Sequence, residues 1–158
     1  MKSELTIIKA AEKDISTILF FIKKIAEYEK LEDQVTATEE ILKESLFGIE
    51  KGAEVIIAYE NNIPVGYAVY FYNFSTFLGK RGLYLEDLFV LPEHRGKGYG
   101  KSLFEYLIKL AKEKECGRFE WCVLNWNTPA IEFYKTFGAE KLDEWSIFRL
   151  NKENLDKL

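Results

Sequence analysis

The sequence predicts an α/β fold of the α+β type in a single domain. Its 158 residues match the usual size of one domain, about 100–150 residues. A content of 47% hydrophobic and 30% charged residues supplies enough apolar surface for a packed core. Along the chain, short β-branched and aromatic segments alternate with segments whose apolar residues repeat at helical spacing. We therefore expect one domain over residues 1–158 and one active site.

Local signals place the individual elements. Asn61-Asn62 marks a tight hairpin turn, Gly79–Gly82 a second turn, and Pro92 the end of a buried strand. Apolar spacing and capping residues then give the order strand, two helices, three strands, helix, strand, helix, strand. The predicted strands are Leu5–Ile8, Val55–Tyr59, Val65–Phe74, Leu83–Leu91, Phe119–Leu124 and Trp145–Leu150. The predicted helices are Ile15–Glu29, one that opens with the capping-box sequence Thr36–Glu39, Leu103–Ala111, and one between Asn127 and Gly138.

Charge and cysteine content exclude several classes of protein. A formal net charge of -4 argues against a nucleic-acid partner and suits a cationic substrate. Cys116 and Cys122 lie too far apart for a C-x-x-C pair, and His94 is the only histidine, so we expect reduced thiols and no metal. The longest apolar run in the first helix, Ile18–Ile22, is far short of a membrane span, and the charged start lacks a signal sequence. We expect a cytoplasmic protein with no membrane partner.

A glycine-rich segment, His94–Ser102, separates a predicted buried strand from an amphipathic helix. Glycines let successive backbone N–H groups converge on an anion at the positive end of a helix. A Walker loop fails because Arg95 occupies the place of its first glycine, and a dinucleotide loop fails because Lys101 occupies the place of its third. The pattern that fits is R-x-x-G-x-G over Arg95–Gly100, although a solvated basic turn would carry the same residues.

With this motif the chain resembles the GCN5-related N-acetyltransferase (GNAT) superfamily. The resemblance covers nearly the whole chain. Its closest match is to the diamine (spermidine/spermine) and thialysine N-acetyltransferases. It implies a GNAT-like domain with a mixed, mostly antiparallel central sheet flanked by helices, in the order β-α-α-β-β-β-α-β-α-β. It also implies acetyl-CoA as co-substrate and a homodimer. The matching runs are Tyr28-Glu29, Gln34-Val35, Tyr84–Asp87, Trp126-Asn127 and Phe133–Lys135.

The resemblance also implies residue roles. Tyr28, Glu29 and Glu144 lie where the family meets its amine, although a solvated acidic face would place carboxylates there as well. Asn127–Ala130 would contact coenzyme A, or serve only as a helix cap. The implied acetyl-CoA ligands are Leu88, Phe89, Val90, Arg95, Gly96, Lys97, Gly98, Tyr99, Gly100, Lys101, Asn127, Thr128, Pro129 and Ala130.

Two residues are candidates for the chemistry. An alkyl amine with a pKa of about 10 must lose a proton before it attacks a thioester. Glu86 is the proposed base, directly or through water, in an interior position that raises its pKa, with a strand-end salt bridge as the alternative. Tyr134 is placed by the resemblance to protonate the departing thiolate, with core packing as its alternative. An N–H near Phe89 would stabilise the oxyanion.

The substrate remains open at this point. Ser75 and Phe77 stand where the polyamine enzymes, as we align them, carry aspartate and tryptophan, so diamines, thialysine-like amino acids and other primary amines are all candidates. We expect direct transfer in a ternary complex, without a covalent intermediate on either cysteine. The alternatives are an acetyltransferase acting on a protein or peptide, and a non-catalytic sensor of acyl-CoA.

Overall fold

The structure is a computed structural model that describes residues 4–158. The chain divides into two compact units, one ending at Cys122 and the other running Val123–Leu158. The assignment of residues 1–158 to one domain stays a prediction. No helix among residues 4–158 has the length and apolar character needed to cross a membrane.

The first unit is built on a five-stranded sheet in the order β1-β2-β3-β4-β5. The first four strands are antiparallel and β5 runs parallel to β4, which confirms the mixed, mostly antiparallel sheet. The strands are β1 Leu5–Lys9, β2 Glu54–Glu60, β3 Ile63–Ser75, β4 Lys80–Val90 and β5 Phe119–Trp121. The helices are α1 Ile15–Glu29, α2 Glu39–Phe47 and α3 Tyr99–Glu113.

Helices cover both faces of this sheet. On one face Phe21 of α1 stacks on Tyr67 of β3, with 5.0 Å between ring centroids, and both side chains are fully buried. On the other face Phe104 of α3 packs against Phe119 and Trp121 of β5 at 5.1 and 5.2 Å. Because side chains alternate across a strand, neighbouring residues of β3 serve opposite layers. The central strands are therefore apolar on both faces.

The β2–β3 connection forms as predicted. Asn61 and Asn62 have φ angles of 49° and 67°, the left-handed conformation that a two-residue hairpin turn requires at both positions. Asparagine tolerates this conformation better than most residues. The turn fixes Glu60 opposite Ile63, and thereby sets the register of the central hairpin.

β4 contains one extra residue relative to β3. Val69 pairs with Asp87 and Tyr70 pairs with Leu85, which leaves Glu86 unpaired as a β-bulge. The parallel ladder to β5 ends at the same point, because its last pair is Leu85 with Trp121. The predicted strand Phe119–Leu124 is therefore too long by three residues, because β5 ends with its last ladder pair at Trp121.

Gly66 of β3 lies against the last residues of β4. A Cβ atom built at Gly66 would stand 2.8 Å from the Phe89 carbonyl oxygen and 3.1 Å from Val90 Cγ2. Cβ atoms do not approach backbone oxygen this closely, so any larger residue would push the two strands apart. Because Gly66 has no side chain, the end of β4 can lie this close to β3.

The second unit contains two helices, α4 Thr128–Lys135 and the short α5 Lys152–Asp156. Asn127 caps α4 by accepting a hydrogen bond from the Ala130 N–H, as its position ahead of Pro129 predicted. The predicted strand Trp145–Leu150 is wrong, because in the described chain this segment forms no ladder and all its residues are exposed. An alternating apolar pattern specifies a strand only where a partner strand supplies hydrogen bonds.

Two local predictions also need correction. The N-cap of α2 is Thr38, whose hydroxyl accepts a hydrogen bond from the Ile41 N–H at 3.2 Å, and not the first threonine of the predicted capping box. The β3–β4 turn lies at residues 76–79, because β4 already begins at Lys80. Both shifts concern element ends, where local signals overlap.

We expect Leu107→Ala to lower the free energy of unfolding by about 2–5 kcal/mol, because Leu107 is fully buried under α3 and truncation leaves a cavity. Urea denaturation measures the change. Lys109→Ala is the control on the exposed side of the same helix, with an expected change within about 0.5 kcal/mol. Equal losses in both variants would contradict the assignment of this helix face to the core.

Candidate active site

The glycine loop presents backbone N–H groups at the start of α3. Gly96 and Gly98 have φ angles of 78° and 83°, and a Cβ atom built at either position meets no heavy atom within 4 Å among residues 4–158, apart from the glycine itself and its two chain neighbours. Gly98 is the N-cap of α3, and the Ser102 N–H donates to its carbonyl at 3.0 Å. The N–H groups of the first helical turn have no partner within their own helix. An open cradle of this kind fits a diphosphate.

The side chains of Arg95 and Lys97 in the loop are directed at the protein itself, whereas Lys101 is exposed, with its Nζ 3.8 Å from Glu105 Oε1. Arg95 donates from Nε to the Val90 carbonyl at 2.9 Å, and its guanidinium lies 4.8 Å from the Tyr28 ring centroid and 5.2 Å from that of Phe89. Lys97 Nζ lies 2.9 Å from a Glu60 carboxylate oxygen. The sequence predicted the loop but not these internal contacts. Backbone amides are therefore its main groups for an anion.

The end of β4 has one edge directed away from β3. The Leu91 N–H donates to the Val65 carbonyl, so alternation along an antiparallel pair directs the N–H and C=O groups of Phe89 towards β3. The same alternation directs the backbone groups of Leu88 and Val90 outwards. Past the bulge, no ladder of the described chain occupies this edge. The oxyanion donor expected near Phe89 is thus better assigned to these two neighbours.

Three carboxylates gather where the end of α1 meets the bulge. Asp87 is largely buried and accepts a hydrogen bond from the Tyr67 hydroxyl. Burial raises the pKa of Asp87, the Tyr67 hydrogen bond opposes this, and the charge of Glu86 raises it further. Burial likewise raises the pKa of Glu29, and the charges of Asp87 and Glu86 add to the effect. This group is called the carboxylate cluster below.

Glu86 does not occupy the interior position that the sequence suggested. Its side chain is exposed, because the bulge takes it out of the regular alternation of β4. The buried carboxylate is its neighbour Asp87, which the sequence analysis did not single out. The available signal was a polar residue directly before the apolar run Leu88–Leu91.

The residues predicted to bind the amine, at the end of α1, lie in or beside this cluster. Tyr28 and Glu29 are both half-buried, and the Tyr28 ring lies 6.2 Å from that of Phe89. A cation that enters here would meet up to three negative charges and an aromatic face. Among residues 4–158 no three histidine, cysteine, aspartate or glutamate side chains form a group suited to a metal.

The remaining predicted site residues belong to the second unit. Tyr134 is half-buried in α4, with its ring centroid 5.3 Å from that of Phe133. Asn127 is buried at the helix start, where Thr128 and Pro129 are exposed. Glu144 is exposed in the segment that follows α4. The roles of these residues stay predictions.

We expect Asp87→Asn to raise the free energy of unfolding at pH 7, on the order of 1 kcal/mol, while activity falls. Since the folded state raises the Asp87 pKa, the native protein holds this proton more tightly than the unfolded chain. The Asp87 carboxyl therefore destabilises the fold progressively as the pH rises through the pKa that this group has in the folded protein. Asparagine removes that charge and still accepts from Tyr67.

Urea denaturation at pH 7 and below pH 4 tests this expectation. The gain should be present at pH 7 and vanish in acid, where the wild-type carboxyl is protonated. Asp33→Asn, at an exposed position, is the matched control and should show no such pH-dependent difference. A loss of stability in Asp87→Asn at pH 7 would contradict the assigned burial of charge.

Comparison with known proteins agrees with this geometry. Residues 19–139 match the model of the Acetyltransferase (GNAT) family. The chain is 38% identical over 161 residues to thialysine N-epsilon-acetyltransferase from Sus scrofa, covering 95% of this chain and 94% of that protein. It is 31% identical to the spermidine/spermine N(1)-acetyltransferase-like protein 1 from Homo sapiens, covering 90% of this chain but 22% of that longer protein.

Solved structures share the fold. An integron cassette protein from the mobile metagenome of V. cholerae superposes with a TM-score of 0.82 at 28% identity, over 99% of this chain and 98% of the other. The family match spans most of the chain and includes the glycine loop and the carboxylate cluster. The chain therefore belongs to the GNAT family and is an N-acetyltransferase.

Proposed function

We propose that this enzyme transfers an acetyl group from acetyl-CoA to a primary amine of a small molecule, a diamine or polyamine or a thialysine-like amino acid. The observation that carries the proposal is the carboxylate cluster of Glu29, Glu86 and Asp87 beside the outward edge of β4. Burial and neighbouring negative charges raise the pKa values of Glu29 and Asp87, with no basic side chain among the causes, and these two carboxylates together with Glu86 form a site for a cation. The names of the curated relatives, thialysine and spermidine/spermine acetyltransferases, support the same class of substrate.

The first unit fits acetyl-CoA at two places. The N–H groups at the start of α3 would hold its diphosphate. The outward backbone groups of Leu88 and the outward N–H of Val90, whose carbonyl already accepts from Arg95, would hold the pantetheine arm as an additional strand. When bound, acetyl-CoA supplies a thioester as the acetyl donor. Asn127–Ala130 would add contacts from the start of α4.

The carboxylates have different tasks in this proposal. Asp87 and Glu29 attract the ammonium groups of the amine, because burial makes their charges costly and a cation relieves that cost. Glu86 stands exposed at the bulge, where it takes the proton from the attacking nitrogen, directly or through water. A substrate with two amino groups would satisfy both parts of the site. Glu144 is proposed as a further contact to such an amine.

Tyr134 is proposed as the acid that returns a proton to the departing sulfur. A phenol with a pKa of about 10 is protonated at neutral pH and remains available as a donor. Amine and acetyl-CoA would be bound together and react directly, so that neither cysteine forms a covalent intermediate. We further propose a cytoplasmic homodimer, a state supported by the exposed apolar side chains Leu155 and Leu158 near the end of the chain.

A panel of amines tests the proposal directly. We expect purified protein with acetyl-CoA to release free thiol with diamines, polyamines or thialysine, and to release little with peptides that offer only an amino terminus or one lysine. Calorimetry with coenzyme A checks binding without turnover. Binding without thiol release for any amine would indicate a sensor, and faster turnover of peptides would indicate a protein acetyltransferase.

We expect Glu86→Gln to lower kcat/KM at neutral pH by about 10²–10⁴ while leaving the affinity for coenzyme A unchanged, because only proton removal is lost. The deficit should shrink at high pH, where the amine deprotonates in solution. Steady-state kinetics from pH 6.5 to 10 measure this. Glu113→Gln, on the exposed side of α3, is the control, and a pH-independent deficit in Glu86→Gln would contradict the role of base.

A further inference from the structure

Glu60 is a buried carboxylate beneath the glycine loop. It is the last residue of β2, and its side chain is 9% exposed. It accepts hydrogen bonds from His94 Nδ1 at 2.6 Å, from Lys97 Nζ at 2.9 Å and from the Tyr99 hydroxyl at 2.5 Å. All three donors belong to one segment of six residues that contains Gly96 and Gly98.

Apart from Glu60, the segment is held by Arg95, whose Nε donates to the Val90 carbonyl at 2.9 Å, and by the burial of Tyr99 in the first turn of α3. The backbone bonds from His94 to Leu91 and from Arg95 to Pro92 hold only the turn before the glycines. The two glycines are the residues with the greatest conformational freedom, so ordering them costs more entropy than ordering other residues. A single carboxylate that receives donors from both sides of the glycines fixes the loop against the end of β2.

On electrostatic grounds alone, a carboxylate beneath the glycine loop would be unfavourable for binding a diphosphate. A negative side chain next to a diphosphate site repels the ligand, and Glu60 also engages Lys97, one of the cations of the loop. If charge were its only effect, replacement of Glu60 would therefore tighten the binding of coenzyme A. If it positions the loop, replacement would weaken binding. The two explanations therefore predict opposite changes in coenzyme A affinity when Glu60 is replaced.

We propose that Glu60 is a positioning residue for the coenzyme A diphosphate, acting through His94, Lys97 and Tyr99 and touching no ligand itself. The inference rests on the proposed use of acetyl-CoA. In it the loop binds the diphosphate with backbone N–H groups, and Lys97 serves the loop more than the ligand. The Glu60 carboxylate receives three donors, two of which are nitrogen groups.

The experiment compares two acetyl donors that differ in the diphosphate. S-acetylpantetheine carries the thioester and the pantetheine arm, but lacks the diphosphate that the loop would hold. We expect Glu60→Ala to raise the Kd for coenzyme A and the KM for acetyl-CoA by about 10- to 100-fold, because the loop amides lose alignment. The KM for the amine and kcat/KM with S-acetylpantetheine should stay within about two-fold of the wild type.

Two milder variants guard against misfolding. Glu60→Gln keeps an acceptor oxygen and should lose less affinity than Glu60→Ala, and Tyr99→Phe removes one donor with little change in volume. Glu54→Gln is the matched control, because Glu54 at the other end of β2 accepts from Lys9 Nζ at 2.7 Å and from the Tyr70 hydroxyl at 3.0 Å. Glu54→Gln should leave the KM and kcat/KM values for both acetyl donors, acetyl-CoA and S-acetylpantetheine, unchanged.

The outcomes separate the competing explanations. Weaker coenzyme A binding with unchanged use of S-acetylpantetheine supports the proposal. Tighter binding in Glu60→Gln overturns it in favour of simple repulsion, and equal losses with both donors overturn it in favour of general destabilisation. A wild-type protein without affinity for coenzyme A would overturn the proposed function itself, whereas unchanged affinity in every variant would overturn only the role of Glu60.

Discussion

The extra residue in β4 is the constraint on which the arrangement of the first unit depends. Regular pairing on both sides of β4 would close its edge and direct its side chains alternately to the two helical layers. With Glu86 inserted, pairing to β5 stops at Leu85, while pairing to β3 continues through Val90. The same insertion exposes one carboxylate and directs the next inwards, beneath α1. An open strand edge and an acidic site therefore arise from one local irregularity.

This arrangement has an energetic cost, because it places carboxylates in buried positions. A carboxylate removed from water is tolerated only where donors or a cation compensate for lost hydration. Asp87 has the Tyr67 hydroxyl, and burial together with Asp87 holds the pKa of that phenol well above its usual range, so it remains a donor. Glu60 has three donors and is compensated within the protein. The carboxylate cluster is compensated incompletely, which is the expected state of a site that awaits a cationic ligand.

The sequence predicted more of the fold than of the site. Helical periodicity, the Asn61-Asn62 turn and the Asn127 cap are local signals, and the corresponding elements form where they were expected. The segment 145–150 had a local strand pattern without a partner, and no local signal reports a partner. The bulge escaped prediction for the same reason, since an unpaired residue is defined only by the strand opposite.

The site residues show the same limit. The glycine motif carries its geometry in its own sequence, and the left-handed angles at Gly96 and Gly98 agree with it. The environment of a carboxylate, by contrast, is set by distant segments: Asp87 by Tyr67, and Glu60 by residues 94–99. Neither acid has a sequence neighbour that indicates its partner. The sequence therefore located the region of the carboxylate cluster and assigned the interior position to the wrong member of the pair.

Gly66 shows how far the requirements of the strand edge extend. Its Cα faces the Phe89 carbonyl at a distance that admits only hydrogen, so the separation of β3 and β4 at this point is encoded by a missing side chain. Any side chain at this position would displace the end of β4, although Gly66 lies one strand away from the unpaired edge. A comparison of related chains that looks for function only among polar residues would overlook it.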